Sequence, residues 1–99
     1  KYLRDGRIFA VWNPIPTYNG RSQHIGQVWT GGRTPLVIAY SEDDGKTFTQ
    51  PVAIETDENR GFCYTAIHET NDGILLGYCA GGEQDGCCLS RLRIRKIYK

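Results

Sequence analysis

The stretch "SEDDGKTF", Ser41 to Phe48, decides how the rest of the chain is read. It places Glu42, Asp43, Asp44, Gly45 and Lys46 in a row and ends on an aromatic residue. An acidic loop with a glycine suits a calcium ion, and a tight turn between two strands uses the same residues. An EF-hand loop needs oxygen ligands at alternating positions, then a glycine, then a closing glutamate. With Ser41 as the first ligand, Gly45 falls on a ligand position and Val52 stands where the glutamate belongs. Starting from Asp43 puts Lys46 among the ligands. The calcium reading fails on register.

The turn reading accounts for every residue. Asp43 and Asp44 can accept bonds from backbone N–H groups of their own loop, and Gly45 supplies the left-handed corner. Ser41 and Thr47 flank that corner, and Phe48 is expected to fold beneath it as an apolar plug. The segments around the turn are short, rich in β-formers and separated by turn signals, which predicts an all-β chain with little or no helix. Strands are expected at "RIFAVWN" (7–13), "PLVIAYS" (35–41), "FTQPVAIE" (48–55), "CYTAIHE" (63–69), "ILLGYCA" (74–80) and "CLSRLRIRKI" (88–97). The second is a near-continuous apolar run, as for a strand buried on both faces. Pro51 demotes the third to an outer or edge strand. "TNDG" between the fourth and fifth is a hairpin turn.

Residues 14–32, "PIPTYNGRSQHIGQVWTGG", are not strand-like. A loop beyond about 12–15 residues in a compact domain is usually functional or disordered. The chain has 99 residues and a net charge of +1, so it makes one modest domain without the basic field that nucleic acid or a membrane surface would demand. No apolar run approaches the roughly 20 residues of a transmembrane helix. There is no methionine, even at position 1, and the first residues enter directly into a strand-like segment. The expectation is a piece of a longer protein whose start is missing. Its compartment stays open, secretion or the periplasm being compatible with it.

The four cysteines, Cys63, Cys79, Cys87 and Cys88, lack paired zinc-knuckle spacing, and His24 and His68 lie far apart. No metal site is expected, and the thiols read as small, mostly buried and free.

"S-x-D-x-G-x-T-F" resembles the Asp-box of sialidases, a structural hairpin turn within a propeller blade. "GRIFAVWNP", "GGRTPLVIAYSEDDGKTF", "GFCYTAIHET", "DGILLGYCAG" and "LSRLRIRKI" resemble, in that order, the C-terminal end of bacterial exo-α-sialidases (neuraminidases, BNR/Asp-box repeat proteins). The resemblance covers essentially the whole chain. It implies about two blades of a six-bladed β-propeller: a penultimate blade over 1–57 and three strands of the last blade over 62–99. Open blade faces then imply association with the missing blades or with other copies.

Sialidases release terminal sialic acid with retention, using a tyrosine nucleophile in place of a carboxylate. A neutral phenol suits a substrate that carries its own carboxylate, and it needs a base beside it. A bidentate guanidinium fits the planar substrate carboxylate. By the resemblance, Tyr64 in "FCYTAI" matches the nucleophile and Arg33 in "GGRTPL" one of the carboxylate-binding arginines. The general acid, the glutamate that activates the tyrosine and two further arginines match nothing here. The implied partner is a sialylated glycan or related carbohydrate, with no cofactor, and these residues alone are expected to be inactive.

From the residues themselves, Trp29, Tyr18 and His24 are rim candidates in the long loop; by the resemblance, Glu83 is a weaker acidic one, placed after "ILLGYCA" where some family members carry an acid. Trp12 reads as core and His68 as a satisfied structural histidine. Three other functions fit the same pattern: a non-catalytic glycan-binding propeller, a same-fold hydrolase for another sugar, and a structural piece that assembles with other chains.

Overall fold

The computed structural model describes residues 1–14 and 33–98. The chain is all-β, with six strands: β1 (Ile8–Trp12), β2 (Leu36–Ser41), β3 (Val52–Glu55), β4 (Cys63–Glu69), β5 (Gly73–Cys79) and β6 (Leu92–Tyr98). They form two three-stranded antiparallel sheets, ordered β1-β2-β3 and β4-β5-β6. Among the described residues the only helical segments are two three-residue 3-10 turns, Glu83–Asp85 and Cys88–Ser90. The second occupies the start of the expected last strand, so pairing begins at Leu92. "KYL" contributes a single bridge, Tyr2 to Ile8.

β2 is buried along almost its whole length, as its apolar run requires. Val52–Glu55 lies at the sheet edge, and Phe48 to Pro51 do not join it. The β4–β5 hairpin closes over Thr70–Gly73, where Thr70 N–H donates to the Gly73 carbonyl at 2.8 Å.

The turn from Ser41 to Thr47 is held by its own side chains. Gly45 N–H donates to Ser41 Oγ at 2.8 Å, and Thr47 N–H to Asp43 Oδ1 at 2.8 Å. The Thr47 hydroxyl donates to Asp43 Oδ2. Gly45 takes φ 89° and Asp44 φ 61°, so the corner is left-handed at both residues. Phe48 is not the expected plug: it is 46% exposed, beside Trp12 and Pro51 on the sheet's outer surface. The hydrogen-bonded loop closes without it, and among the described residues no layer covers that face.

One core joins the two sheets. Phe9, Leu36 and Ile38 of the first pack with Phe62, Ile74, Leu76 and Tyr78 of the second. Burying each such side chain stabilises by roughly 1.5–3 kcal/mol. A buried carboxylate sits at the join. Glu55 accepts from the Tyr78 hydroxyl at 2.5 Å and from Arg93 at 2.8 Å and 2.9 Å. Burial and Glu55 push the Tyr78 phenol above its usual range. Arg95 donates to the Ile54 carbonyl at 2.9 Å. Thus β6 turns Arg93 toward Glu55 and leaves Leu92 and Ile94 exposed on its other face.

Glu55→Ala would leave the Tyr78 hydroxyl buried without its acceptor. It is expected to cost about 1.5–3 kcal/mol, read as a lower midpoint in urea unfolding. An unchanged midpoint would show that the join does not depend on this carboxylate.

Asp43 is held down to about 2, first by the Thr47 hydroxyl and backbone and then by Ser41. Its unfolded value is near 3.9, so the folded chain binds fewer protons there. The contribution is present above about pH 4 and is lost as pH falls toward about 2. Asp85, held at about 2 by Arg91 and the Gly82 N–H, adds to the same window. Asp43→Asn is expected to flatten part of the fall in unfolding midpoint between those pH values. An identical acid profile in the variant would remove Asp43 from the account.

Candidate functional site

Where the two sheets meet, the chain before β2 crosses the start of β4. Phe62 N–H donates to the Arg33 carbonyl at 2.7 Å, and the Thr34 hydroxyl donates to the Asp57 carbonyl at 3.0 Å. These bonds fix Arg33 against the end of the strand that carries Tyr64. The Arg33 guanidinium lies over the Tyr64 ring, 4.9 Å from its centroid. A cation over an aromatic face at an exposed site contributes about 0.5–1 kcal/mol. Tyr64 and then Cys63 hold the guanidinium above its usual range, so it stays charged throughout the physiological range.

Tyr64 is 69% exposed and has φ 56°, a left-handed backbone that is rare for an aromatic residue. The cause is local. β4 pairs regularly with β5 from Glu69↔Ile74 to Ala66↔Gly77, then shifts register before Cys63↔Cys79. Two residues, Tyr64 and Thr65, stand opposite Tyr78 in that interval. Such a bulge re-aims a side chain, and it is common beside functional sites.

Arg33 and Tyr64 line one cleft of about 310 Å³ together with Trp12, Asn13, Cys63 and Thr65. Asn13 is held there by donating to the Pro35 carbonyl at 2.9 Å. The cleft offers a fixed cation, a phenol, an indole, an amide and a hydroxyl. That set can bind an anion attached to a hydroxylated, partly apolar ring. Among the described residues lining it there is no carboxylate.

Trp12 is therefore a cleft residue rather than the core residue expected, at 37% exposed on the last position of β1. Its alternation along β1 could have indicated this, since it shares a face with the half-buried Ala10 rather than with Phe9. His68 is exposed on the face of β4 that it shares with Ala66. Glu83 is exposed in the first 3-10 turn and is not part of the cleft lining. Tyr18, His24 and Trp29 lie outside the described residues. The four cysteines are free: Cys63 and Cys88 are buried, Cys79 and Cys87 partly so.

Two three-stranded antiparallel sheets with a self-bonded hairpin turn define an all-β chain of the kind that β-repeat proteins are built from. Residues 2–76, more than half of the chain, match the BNR repeat-like domain, and the chain belongs to that family. The repeat occurs in sialidases and related glycoside hydrolases, and it points to a propeller-type fold. Neither a search of curated proteins nor one of solved structures found a match.

The left-handed backbone at Tyr64 costs about 1–3 kcal/mol for a residue with a Cβ. Tyr64→Gly is expected to keep the urea midpoint or raise it, by up to about 1 kcal/mol. A clear fall would show that the ring's contact with Arg33 outweighs the strain.

Proposed function

We propose that this chain forms part of a sialidase-like glycoside hydrolase. It would supply the penultimate blade (1–57) and three strands of the last blade (62–99) of a six-bladed propeller. The observation that carries the reading is the Arg33 guanidinium over the Tyr64 ring within one cleft. Arg33 takes the substrate carboxylate as a bidentate pair. Tyr64 attacks the anomeric carbon and forms a covalent glycosyl-enzyme intermediate, which water then resolves with retention. A phenol is a weak nucleophile at neutral pH and needs a carboxylate base beside it. That base, the general acid and further cationic ligands for the carboxylate come from blades beyond these residues. The exposed faces carrying Leu92 and Ile94 on one sheet, and Phe48 and Val52 on the other, are where neighbouring blades pack. Trp12 offers its indole to the sugar's apolar patch. No cofactor enters this chemistry.

A glycan-binding propeller without turnover is the second reading, and the absence of a carboxylate among the described cleft residues favours it. Hydrolysis of a fluorogenic sialoside by the natural chain that contains this segment separates the two. On the hydrolase reading, Tyr64→Phe lowers kcat by roughly a hundredfold or more. Arg33→Ala raises KM by about 10–100-fold, the loss of a charge-assisted pair of about 1.5–3 kcal/mol. No turnover of the sialoside by the folded parent would leave the binding reading or a hydrolase for another sugar. Hydrolysis of a neutral glycoside that survives Arg33→Ala would point to a sugar without a carboxylate.

A further inference from the structure

Cys63 and Cys79 are direct partners in the β4–β5 pairing, immediately beside the bulge that re-aims Tyr64. Directly opposed residues of antiparallel strands lie roughly 4.5–5.5 Å apart at Cα and point to the same face. Disulfides span Cα separations of about 4.4–6.8 Å. The pair therefore needs little backbone movement to be bridged, and the register shift next to it gives slack. Cys79 is partly exposed, and Cys63 is 6% exposed and lines the Arg33–Tyr64 cleft.

We propose that Cys63 and Cys79 form a reversible thiol–disulfide site that couples the oxidation state to the Arg33–Tyr64 cleft. The oxidant is a low-molecular-weight disulfide. The Cys79 thiolate attacks one sulfur of it, forming a mixed disulfide and releasing one small thiolate. The Cys63 thiolate then attacks the Cys79 sulfur and releases the second. Two protein thiols are oxidised, one disulfide is reduced to two thiols, and the two cysteine protons pass to the leaving thiolates.

The surroundings slow the first attack and leave the choice of partner to the geometry of the strand pairing. Burial, then the neighbouring Cys63, raise the Cys79 thiol, while the Arg33 charge acts the other way and favours its thiolate. Cys88 responds to the same neighbours in the same directions, so Cys63 is the common member of the group. Cys87 is different: its sulfur is 3.3 Å from Ser90 Oγ, and that contact draws its thiol below the usual range. It sits on another segment, whose close approach is possible because residue 81 is glycine: a Cβ there would meet the Cys87 carbonyl at 2.2 Å. Oxidation ties the Cys63 sulfur, which accepts from the Arg33 guanidinium, to Cys79 and leaves Tyr64 as the guanidinium's main holding neighbour. It also ties β4 to β5 at the bulge. The site goes beyond the hydrolase reading, and its test needs no turnover.

Proteolysis after glutamate isolates the thiols: Cys63 falls in 59–69, Cys79 in 70–83, and Cys87 and Cys88 follow residue 83. The native chain is treated with oxidised glutathione, alkylated, digested in this way and mapped by mass. Peptide 59–69 joined to 70–83, with both alkyl labels lost and restored by dithiothreitol, is the expected major product. In Cys79→Ser the cross-link disappears, and Cys63 is recovered alkylated after unfolding. Separate, fully alkylated 59–69 and 70–83 peptides after oxidation would overturn the proposal. Pairing of Cys63 with Cys87 or Cys88, or the same product mixture from the urea-unfolded chain, would overturn it too.

Discussion

The bond from the Phe62 N–H to the Arg33 carbonyl ties the lead-in of one sheet to the lead-in of the other, and the candidate site depends on it. Phe62 itself is completely buried, so its backbone donor has no water to turn to and must find a protein acceptor. Meeting that requirement brings Arg33, which precedes β2, against Tyr64, which opens β4. Two residues remote in sequence thereby face one cleft. The Thr34–Asp57 bond repeats the tie one residue further on.

The join also buries a carboxylate. Glu55 is 8% exposed at the end of an edge strand. A buried carboxylate is tolerable only when its lone pairs are filled, and here Tyr78 and Arg93 fill them. The cost is visible on β6. With Arg93 turned inward, Leu92 and Ile94 face outward at 70% and 67% exposure. The first sheet leaves Phe48 and Val52 outward in the same way. Exposed apolar faces of this kind mark surfaces that pack against something else, and stacked blades are the arrangement that a repeat family uses to cover them.

Strain and thiol chemistry meet at the same few residues. Tyr64 occupies a backbone conformation its side chain disfavours, and the neighbouring pairing is the one that sets Cys63 against Cys79. A regular ladder would have kept Tyr64 on the common side-chain alternation of β4. The bulge separates it from that alternation and leaves its ring against a guanidinium instead of a core.

The sequence by itself determined the local features. Alternation and turn residues placed all six strands within a few positions. The Asp-box could be read because its hydrogen bonds run among residues a few positions apart, with Gly45 at the one corner that most needs it. The resemblance singled out Arg33 and Tyr64. What periodicity could not show was the fate of Phe48, His68 and Arg93. Whether such residues are covered depends on what lies over each face, and that is set by sheets packing across long sequence separations. The left-handed Tyr64 likewise has no local signature, since no glycine or asparagine marks it. Only the tertiary structure decided these, because a register shift, a buried Glu55 and a shared cleft exist only once two sheets have been brought together.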